Sequence, residues 1–366
     1  MYYVHDLLAH LAVVRTCGEQ LGFRSAVGIS NLALDIEKSG LHIRFQPRFL
    51  YADAQRGSYN YTPYFRPDVT GFCGWLPYFS KVWPAALDKL AFKTFVSEQG
   101  LRTPPWWTAP GDGVTDCIVK AKSGSFGRGI RGPFRALHGG AEAQALREGE
   151  FYERVIHGTI VKVWYWDAEP RCLELLPMPR LTGDGTRSIR ELIVAYLGQA
   201  DARADRWLKY QVVLNQIFGY QDKSLDSVLA AGESVNAGIR YAGSLEKADE
   251  NNRNVLARHA GTPLGEELRT IGKVLWQAIP EELRQGVLFT VDAVLDDQGQ
   301  LWLLEMNPNP AVHPDVYPAM MKSVLSLKVS EMPSFSENKD DPAFKGGLVW
   351  ARPTVHAKKI PMKSDA

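Results

Sequence analysis

The chain has 366 residues, enough for two or three lobes with separate cores, and its 45% hydrophobic and 23% charged content is ordinary for a globular protein. A net charge of +1 gives no bulk electrostatic reason to expect nucleic acid or a membrane surface as partner. The four cysteines, Cys17, Cys73, Cys117 and Cys172, form no CxxC pair, which argues against a disulfide framework or a zinc site and for reduced cytosolic thiols.

No apolar run approaches the roughly 20 residues that span a bilayer. The amino terminus, with His5 and Asp6 ahead of its apolar part, reads as an amphipathic helix ending near Gly22, not as a signal peptide, and a cytoplasmic location is expected. A strand-like alternation follows at Leu41-His42-Ile43-Arg44-Phe45. The next passage, YNYTPYFRPDVTGFCGWLPYFSKVWP, is too irregular for a regular sheet, and its rings are expected to close over a core. LDKLAFKTFVSEQGLRTPP predicts one helix with Leu87, Leu90, Ala91, Phe95 and Val96 on its apolar side, stopped by Gly100 and the prolines. In CIVKAKSGSFGRGI, residues 117–130, a short apolar strand delivers Lys120 to a glycine-rich turn. Closely spaced glycines let backbone N–H groups approach phosphate oxygens, but no GK[ST] follows, so this is not a Walker A loop.

TIVKVWYWDAEPRCLELLP reads as a hairpin, after which Thr186 or Ser188 is available to cap a helix holding Ile189, Leu192 and Ile193. Val255, Leu256, Leu264, Leu268, Ile271 and Leu275 give a further helical pattern, and residues 331–345 read as a polar linker. The most informative stretch runs from Gly286 to Pro310, where two apolar, β-prone runs flank Asp296-Asp297-Gln298-Gly299. With those residues as the loop, Leu295 faces Gln300 and Asp292 faces Leu303. The period of two then gathers Asp292, Leu303, Glu305 and Asn307 on one face and turns Phe289, Val291, Ala293, Trp302, Leu304 and Met306 into a core. Such alternation fits a solvated strand face as well as a cation site. Two carboxylates and an amide oxygen suit a hard ion, Mg²⁺ or Mn²⁺, shared with substrate phosphates.

The run from Asp292 to LLEMNPNP resembles the metal-binding end of the ATP-grasp superfamily, where an Asp on one strand and Glu-x-Asn on the next carry two magnesium ions. The resemblance extends over residues 87–325. It implies an α+β fold of two lobes gripping ATP, with a short atypical N-terminal lobe (residues 1–86) before it and a linker and tail (326–366) after it. It makes Asp292, Glu305 and Asn307 metal ligands and places Lys89 and Lys120 on the ATP phosphates. Ser125, Gly127 and Gly129 then belong to a flap over the γ-phosphate. Glu153 accepts from the adenine amino group, and Arg154, Val155 and Ile156 bracket the ring edge. TGDGTRSIRELI and SLDSVLAAGESVNAGIRYAGSL resemble signatures of cyanophycin synthetase and of the ATP-grasp part of bifunctional glutathione synthetase. That match makes Arg240 the group neutralising developing phosphate charge and sets Lys162 near a basic position.

Two departures stand out. Thr159 and Ile160 occupy the place of the acid that holds the ribose, and Pro177-Met178-Pro179-Arg180 replaces an R-V-P-A run near the substrate, so a different substrate is expected. The resemblance implies an ATP-dependent carboxylate–amine ligase working through an acyl-phosphate, with ATP and Mg²⁺ as cofactors. Its partners are a small carboxylate and an amine (an amino acid or peptide), and many such ligases are homodimers. A phosphotransferase, a thioester-forming enzyme or a binding protein with a degenerate site remain open. No second phosphate-binding motif, and no room for a second ligase domain like that of cyanophycin synthetase, is evident. His313, between Val312 and Pro314, reads as structural or, with Asp315, as lining the site.

Overall fold

In a computed structural model, residues 6–53, 58–111, 113–124, 129–137, 144–197, 211–238, 245 and 254–326 are described. Helix α1 (Leu7–Leu21) begins where the Asp6 carboxylate accepts from the Leu8 N–H at 2.9 Å and ends at Gly22, whose φ of 68° closes the last turn. It covers an antiparallel sheet of β1 (Arg24–Val27), β2 (Leu34–Lys38), β3 (Leu41–Asp53), β4 (Ser58–Thr62) and β5 (Val69–Leu76). The aromatic passage expected to be irregular thus supplies two strands, both paired with the long β3. Shifts in register at Pro47/Phe49 and Leu50/Tyr51 absorb its prolines and glycines. Its rings divide: Phe72, Trp75 and Tyr78 enter the core, whereas Tyr64 and Phe65 are exposed.

The helix expected over 87–100 breaks into α2 (Pro84–Leu87) and α3 (Lys89–Glu98). Asp88 causes the break, because its carboxylate accepts from the N–H groups of Leu90 and Ala91 and starts a new helix. Leu87 is exposed, and Phe92, Lys93 and Val96 face inward. Next come β6 (Trp106–Trp107), β7 (Thr115–Ala121), β8 (Arg131–Ala136) and β9 (Glu150–Arg154), forming a sheet of order β6-β9-β7-β8. The hairpin β10 (Thr159–Trp166) and β11 (Glu169–Leu176) follows as expected.

A small subunit then holds β12 (Arg180–Thr182), α4 (Ile189–Leu197), α5 (Gln211–Tyr220) and β13 (Ser234–Asn236). Ser188 and Glu191 cap α4 reciprocally, each side chain bonding to the other residue's N–H, and Ile189, Leu192 and Ile193 are buried as expected. The chain returns through α6 (Pro263–Gln277) and α7 (Glu281–Arg284) to β14 (Leu288–Leu295), β15 (Leu301–Pro308) and α8 (Tyr317–Leu325). The described strand pairs are antiparallel and each sheet carries helices, so the fold is α+β.

The sheet of order β11-β10-β14-β15 is buried on one face by Phe92 and Val96 of α3 and by Leu268, Ile271 and Leu275 of α6. A separate core joins α1, the first sheet and α8, and includes Trp164 and Leu288. The turn after β15 fastens these parts together. Asn309 accepts from the Lys81 N–H at 2.8 Å and donates to the Lys81 carbonyl at 2.7 Å, while the Val312 N–H reaches the Cys73 carbonyl at 2.8 Å. Gly74 leaves room for this docking, since a Cβ there would lie 2.6 Å from that of Val312. Among the described residues, no helix is long and apolar enough to cross a membrane.

Candidate active site

The β14–β15 hairpin differs from the expected register in two places. Leu295 pairs with Leu301, so the loop is one residue longer than Asp296–Gly299, and the ladder slips again where Asp292 opposes Glu305 while Ala293 opposes Leu303. The residue left over is Leu304, a β-bulge. Leu303, expected beside the carboxylates, therefore packs into the core with Ala293 and Met306. Leu304 turns instead to the side of Val294, Ile160 and Leu176, the sheet face that carries Asp292. Asp292, Glu305 and Asn307 still share one face.

Across this face runs a row of charge. Cross-strand neighbours place Glu174 of β11 beside Lys162 of β10, Lys162 beside Asp292 of β14, and Asp292 beside Glu305 of β15. The Lys162 ammonium lies 2.6 Å from Asp292 Oδ1. Lys89, at the start of α3, lies 3.1 Å from Glu305 Oε2 and donates to the Gly124 carbonyl at 2.7 Å. The Asn307 amide donates to Asp292 Oδ2 at 3.0 Å. Burial, with Glu305 adding to it and Lys162 opposing, raises the Asp292 carboxyl above the ordinary range. Glu305 also resists ionisation through burial, but Lys89 and Lys120 outweigh that and hold it below the ordinary value.

A second node comes from the neighbouring sheet. Glu153 of β9, only 2% exposed, is gripped by Lys120 of β7 and by the fully buried Lys93 of α3, each ammonium 2.7 Å from one carboxylate oxygen. Lys93 also donates to the Thr103 hydroxyl at 2.9 Å. Burial draws Lys93 below the usual lysine value despite Glu153. Burial acts likewise on Lys120, but Glu153 and Glu305 more than offset it and leave that ammonium above the usual value. Glu153 is held low because the two lysines overcome its own desolvation. The electrostatic reach of Lys120 to Glu305 and Asp292 makes the two nodes one cluster. Four ammonium groups, Lys89, Lys93, Lys120 and Lys162, thus face Glu153, Asp292 and Glu305 in one cluster.

Beside Asp292 the same sheet face is apolar. Ile160, Leu176 and Val294 are buried there, with Ile156, Met178 and Leu304 packed against them. A charged cluster next to a flat apolar platform suits a ligand with a polyanionic end and an aromatic end.

No family model matches the chain, and no curated protein matches it. Among solved structures it is similar to a bifunctional glutathione synthetase from Pasteurella multocida, at 14% identity and a TM-score of 0.40, over 87% of this chain and 43% of that one. A D-alanine–D-alanine ligase from Bacillus anthracis complexed with ATP is similar at 13% identity and a TM-score of 0.32, over 66% of each chain. An L-amino acid ligase from Bacillus licheniformis is similar at 11% identity and a TM-score of 0.34, over 67% of this chain and 49% of that one. These structural neighbours are ATP-grasp ligases. The chain spans less than half the length of the glutathione synthetase, 43%.

The remaining sequence expectations fall in several places. Asp292, Glu305, Asn307, Lys89, Lys120 and Lys162 come together as described. Ser125, Gly127 and Arg240 lie outside the described residues, whereas Gly129 lies within them, at φ 71°. Glu153, expected to meet an adenine amino group, is buried with each carboxylate oxygen against a lysine. Arg154 extends toward Asp116 at 3.9 Å, the Val155 N–H donates to the Asp116 carbonyl, and Ile156 joins the apolar platform. Ile160, in the place of the ribose acid, is a buried member of that platform.

His313 is buried with its ring edge-on to Trp164, and its Nδ1 accepts from the Asp315 N–H. The GDG motif forms a turn: Asp184 accepts from the N–H groups of Thr186 and Arg187, and a Cβ on Gly183 would lie 2.4 Å from the Ala230 carbonyl oxygen. Sequence reasoning missed Lys93 and Glu174. Their signal is weak, because a Lys on an amphipathic helix and a Glu in an apolar strand read first as solvated residues.

The donor set fits a hard divalent ion. Among the described residues no three His, Cys, Asp or Glu side chains converge on one point. Two carboxylates and an amide suffice for Mg²⁺, which binds protein through one or two carboxylates and leaves positions for substrate phosphates. Asn307 presents its nitrogen to Asp292, and rotation of the amide by half a turn presents its oxygen instead. Lys162 and Lys89 hold the two carboxylate charges in this state.

Proposed function

We propose that the chain is an ATP-dependent ligase that joins a small carboxylate to an amine through an acyl-phosphate, releasing ADP and phosphate. The observation that carries this reading is the cluster of Lys89, Lys93, Lys120 and Lys162 against Glu153, Asp292 and Glu305, beside an apolar platform. A carboxylate resists attack by an amine until one of its oxygens becomes a leaving group. Phosphoryl transfer achieves that: the bond from the carboxylate oxygen to the γ-phosphorus forms, and the bond from that phosphorus to the ADP oxygen breaks. The amine nitrogen then bonds to the carbonyl carbon, phosphate leaves with the electron pair of the C–O bond, and the amine gives up a proton.

Such a reaction needs positioning and charge neutralisation more than a covalent nucleophile. The thiols offer no alternative. All four cysteines are free and buried, and burial pushes Cys73 up to about 12 and Cys117 to about 11. Lys120, held in place by Glu153, meets the phosphates from one sheet, and Lys89 meets them from the start of α3. Lys93, itself buried, keeps Glu153 ionised and Lys120 oriented. Asp292, Glu305 and Asn307 hold Mg²⁺, which when bound neutralises charge on the transferring phosphate. Ile160, Leu176 and Val294 receive the adenine ring, and the Arg154–Ile156 main chain reads its edge. The sequence resemblance assigns Ser125, Gly127, Gly129 and Arg240 to the phosphates. Residues 87–325 form the catalytic unit, and buried free thiols suit a reducing, cytoplasmic compartment.

The test is ³¹P NMR of ATP and Mg²⁺ with the purified protein and pooled amino acids and small carboxylates. Expected is ADP plus phosphate that depends on the pool and is lost in Glu305→Gln. AMP plus pyrophosphate would overturn the acyl-phosphate route in favour of adenylation.

A further inference from the structure

Arg48 lies on β3 and is 6% exposed, with its Nε buried and lacking a hydrogen-bond partner. Among the described residues no carboxylate pairs with its guanidinium. What faces it is the ring of Tyr61, 4.8 Å from Cζ to the centroid, together with Cys73 and Tyr78. Burial lowers its proton affinity, yet a guanidinium keeps its charge in proteins. Buried charges are normally paired, and a buried guanidinium without an anion costs the folded state stability. Strand alternation places Arg48 and Leu50 on the side away from Phe45 and Phe49, which pack under α1. That other side faces Ala311, just past the Asn-Pro-Asn-Pro turn. The Tyr61 hydroxyl accepts from the Ala311 N–H and lies within the field of Asp292. A planar, five-donor cation therefore packs on a ring that lies within the field of Asp292.

We propose that Arg48 binds the carboxylate of an amino acid that enters as the amine, so that the N-terminal sheet selects this substrate. The inference rests on the ligase reading above. A guanidinium holds both oxygens of a carboxylate in a bidentate fork. The fork draws both oxygens and their charge toward the guanidinium, whereas a carboxylate to be phosphorylated must turn one oxygen to the γ-phosphorus, so the group that fits Arg48 is one that does not react. The carboxylate of the incoming amino acid is such a group. The Tyr61 ring, packed on one face of the guanidinium, keeps the fork in one plane.

The test is saturation-transfer NMR of the full chain with pooled amino acids and, separately, with their primary amides. Wild type, Arg48→Met and Arg48→Lys are compared, with melting temperatures and ATP titrations on the same samples. Wild type is expected to bind at least one free acid and to bind its amide at least tenfold more weakly. Arg48→Met is expected to lose that acid binding at least tenfold, to melt no lower than wild type, and to bind ATP within twofold of wild type. Arg48→Lys, which keeps the charge without the fork, should recover only part of the affinity. Equal acid binding by wild type and Arg48→Met overturns the inference, as does wild type binding no acid. If Arg48→Met fails to fold, undiminished acid binding by Arg48→Lys overturns it in the same way. Absence of ATP binding by wild type overturns the ligase reading instead, so the two failures are distinguishable.

Discussion

Asp292 lies directly opposite Glu305 because Leu304 is bulged out of the ladder between β14 and β15. Without that bulge the ladder from Leu295 and Leu301 would put Leu304 opposite Asp292 and turn Glu305 to the core face. Glu305→Gln keeps the shape and removes the charge. Steady-state assay of ADP release is expected to show a loss of ~10²-fold or more, the scale of removing one electrostatic stabiliser of a transition state. Near-wild-type turnover would remove Glu305 from the mechanism.

Glu153 holds two buried ammonium groups, so its removal strands both. Glu153→Gln is expected to destabilise the protein by about 3–5 kcal/mol, the usual effect of breaking a buried pair from one side. Urea denaturation at neutral pH measures it. Because the folded state holds this carboxyl below its ordinary value of 4.5, its contribution is present above that pH and is lost as pH falls through the lower folded value. The wild-type minus variant stability difference should therefore shrink on acidification below 4.5.

Lys120→Ala is expected to weaken ATP affinity by ~10-fold or more, as loss of one charge-assisted contact worth about 1.5–3 kcal/mol would. Isothermal titration with ATP and Mg²⁺ reads this, and an unchanged affinity would remove Lys120 from the phosphate site.

Lys81 is buried and donates to the carbonyls of Leu283, Gln285 and Gly286 at the end of α7. Burial lowers it to about 8 from 10.5, with Asp167 opposing. Between those values the unfolded chain binds more protons than the folded one, so this group makes stability rise with pH from 8 toward 10.5. In paired denaturation curves between pH 8 and 9.5, wild type should gain stability relative to Lys81→Met. Parallel pH profiles would show that Lys81 does not titrate there.

Gly158 precedes β10 at φ 157°, where a Cβ would lie 2.1 Å from the Leu295 carbonyl oxygen. No side chain can yield there, because the obstacle is backbone. Gly158→Ala is expected to cost about 3 kcal/mol or more, within the range of severe point substitutions. A melting temperature within a degree of wild type would show that the backbone between Gly158 and Leu295 gives way at little cost.

Chemistry near the carboxylates was legible because strand alternation is a local rule. Asp292, Glu305 and Asn307 were grouped correctly through two errors that cancelled. The loop is one residue longer than expected and the bulge adds one more, and a shift of two restores the face of Glu305 and Asn307. Between loop and bulge only one slip has accumulated, so the local pattern puts Trp302, Leu303 and Leu304 each on the wrong side. In the aromatic passage, prolines and glycines read as turn signals, but pairing with the long β3 overrode them. The helix over 87–100 was found without its break, because Asp88 reads equally well as a solvated residue and as a cap.

By itself the sequence determined the alternating carboxylate hairpin, the strand that presents Lys120, the capped helix at Ser188 and the buried stripe of α6. Each depends on periodicity or on a hydrogen bond a few residues long. Only the tertiary structure decided that Lys93 and Lys120 share Glu153, that Lys162 meets Asp292 across 130 residues of chain, and that Arg48 is buried without an anion. The physical reason is that a charge takes its meaning from its dielectric surroundings and its partners. Distant strands supply both, and no local pattern records which strand will arrive.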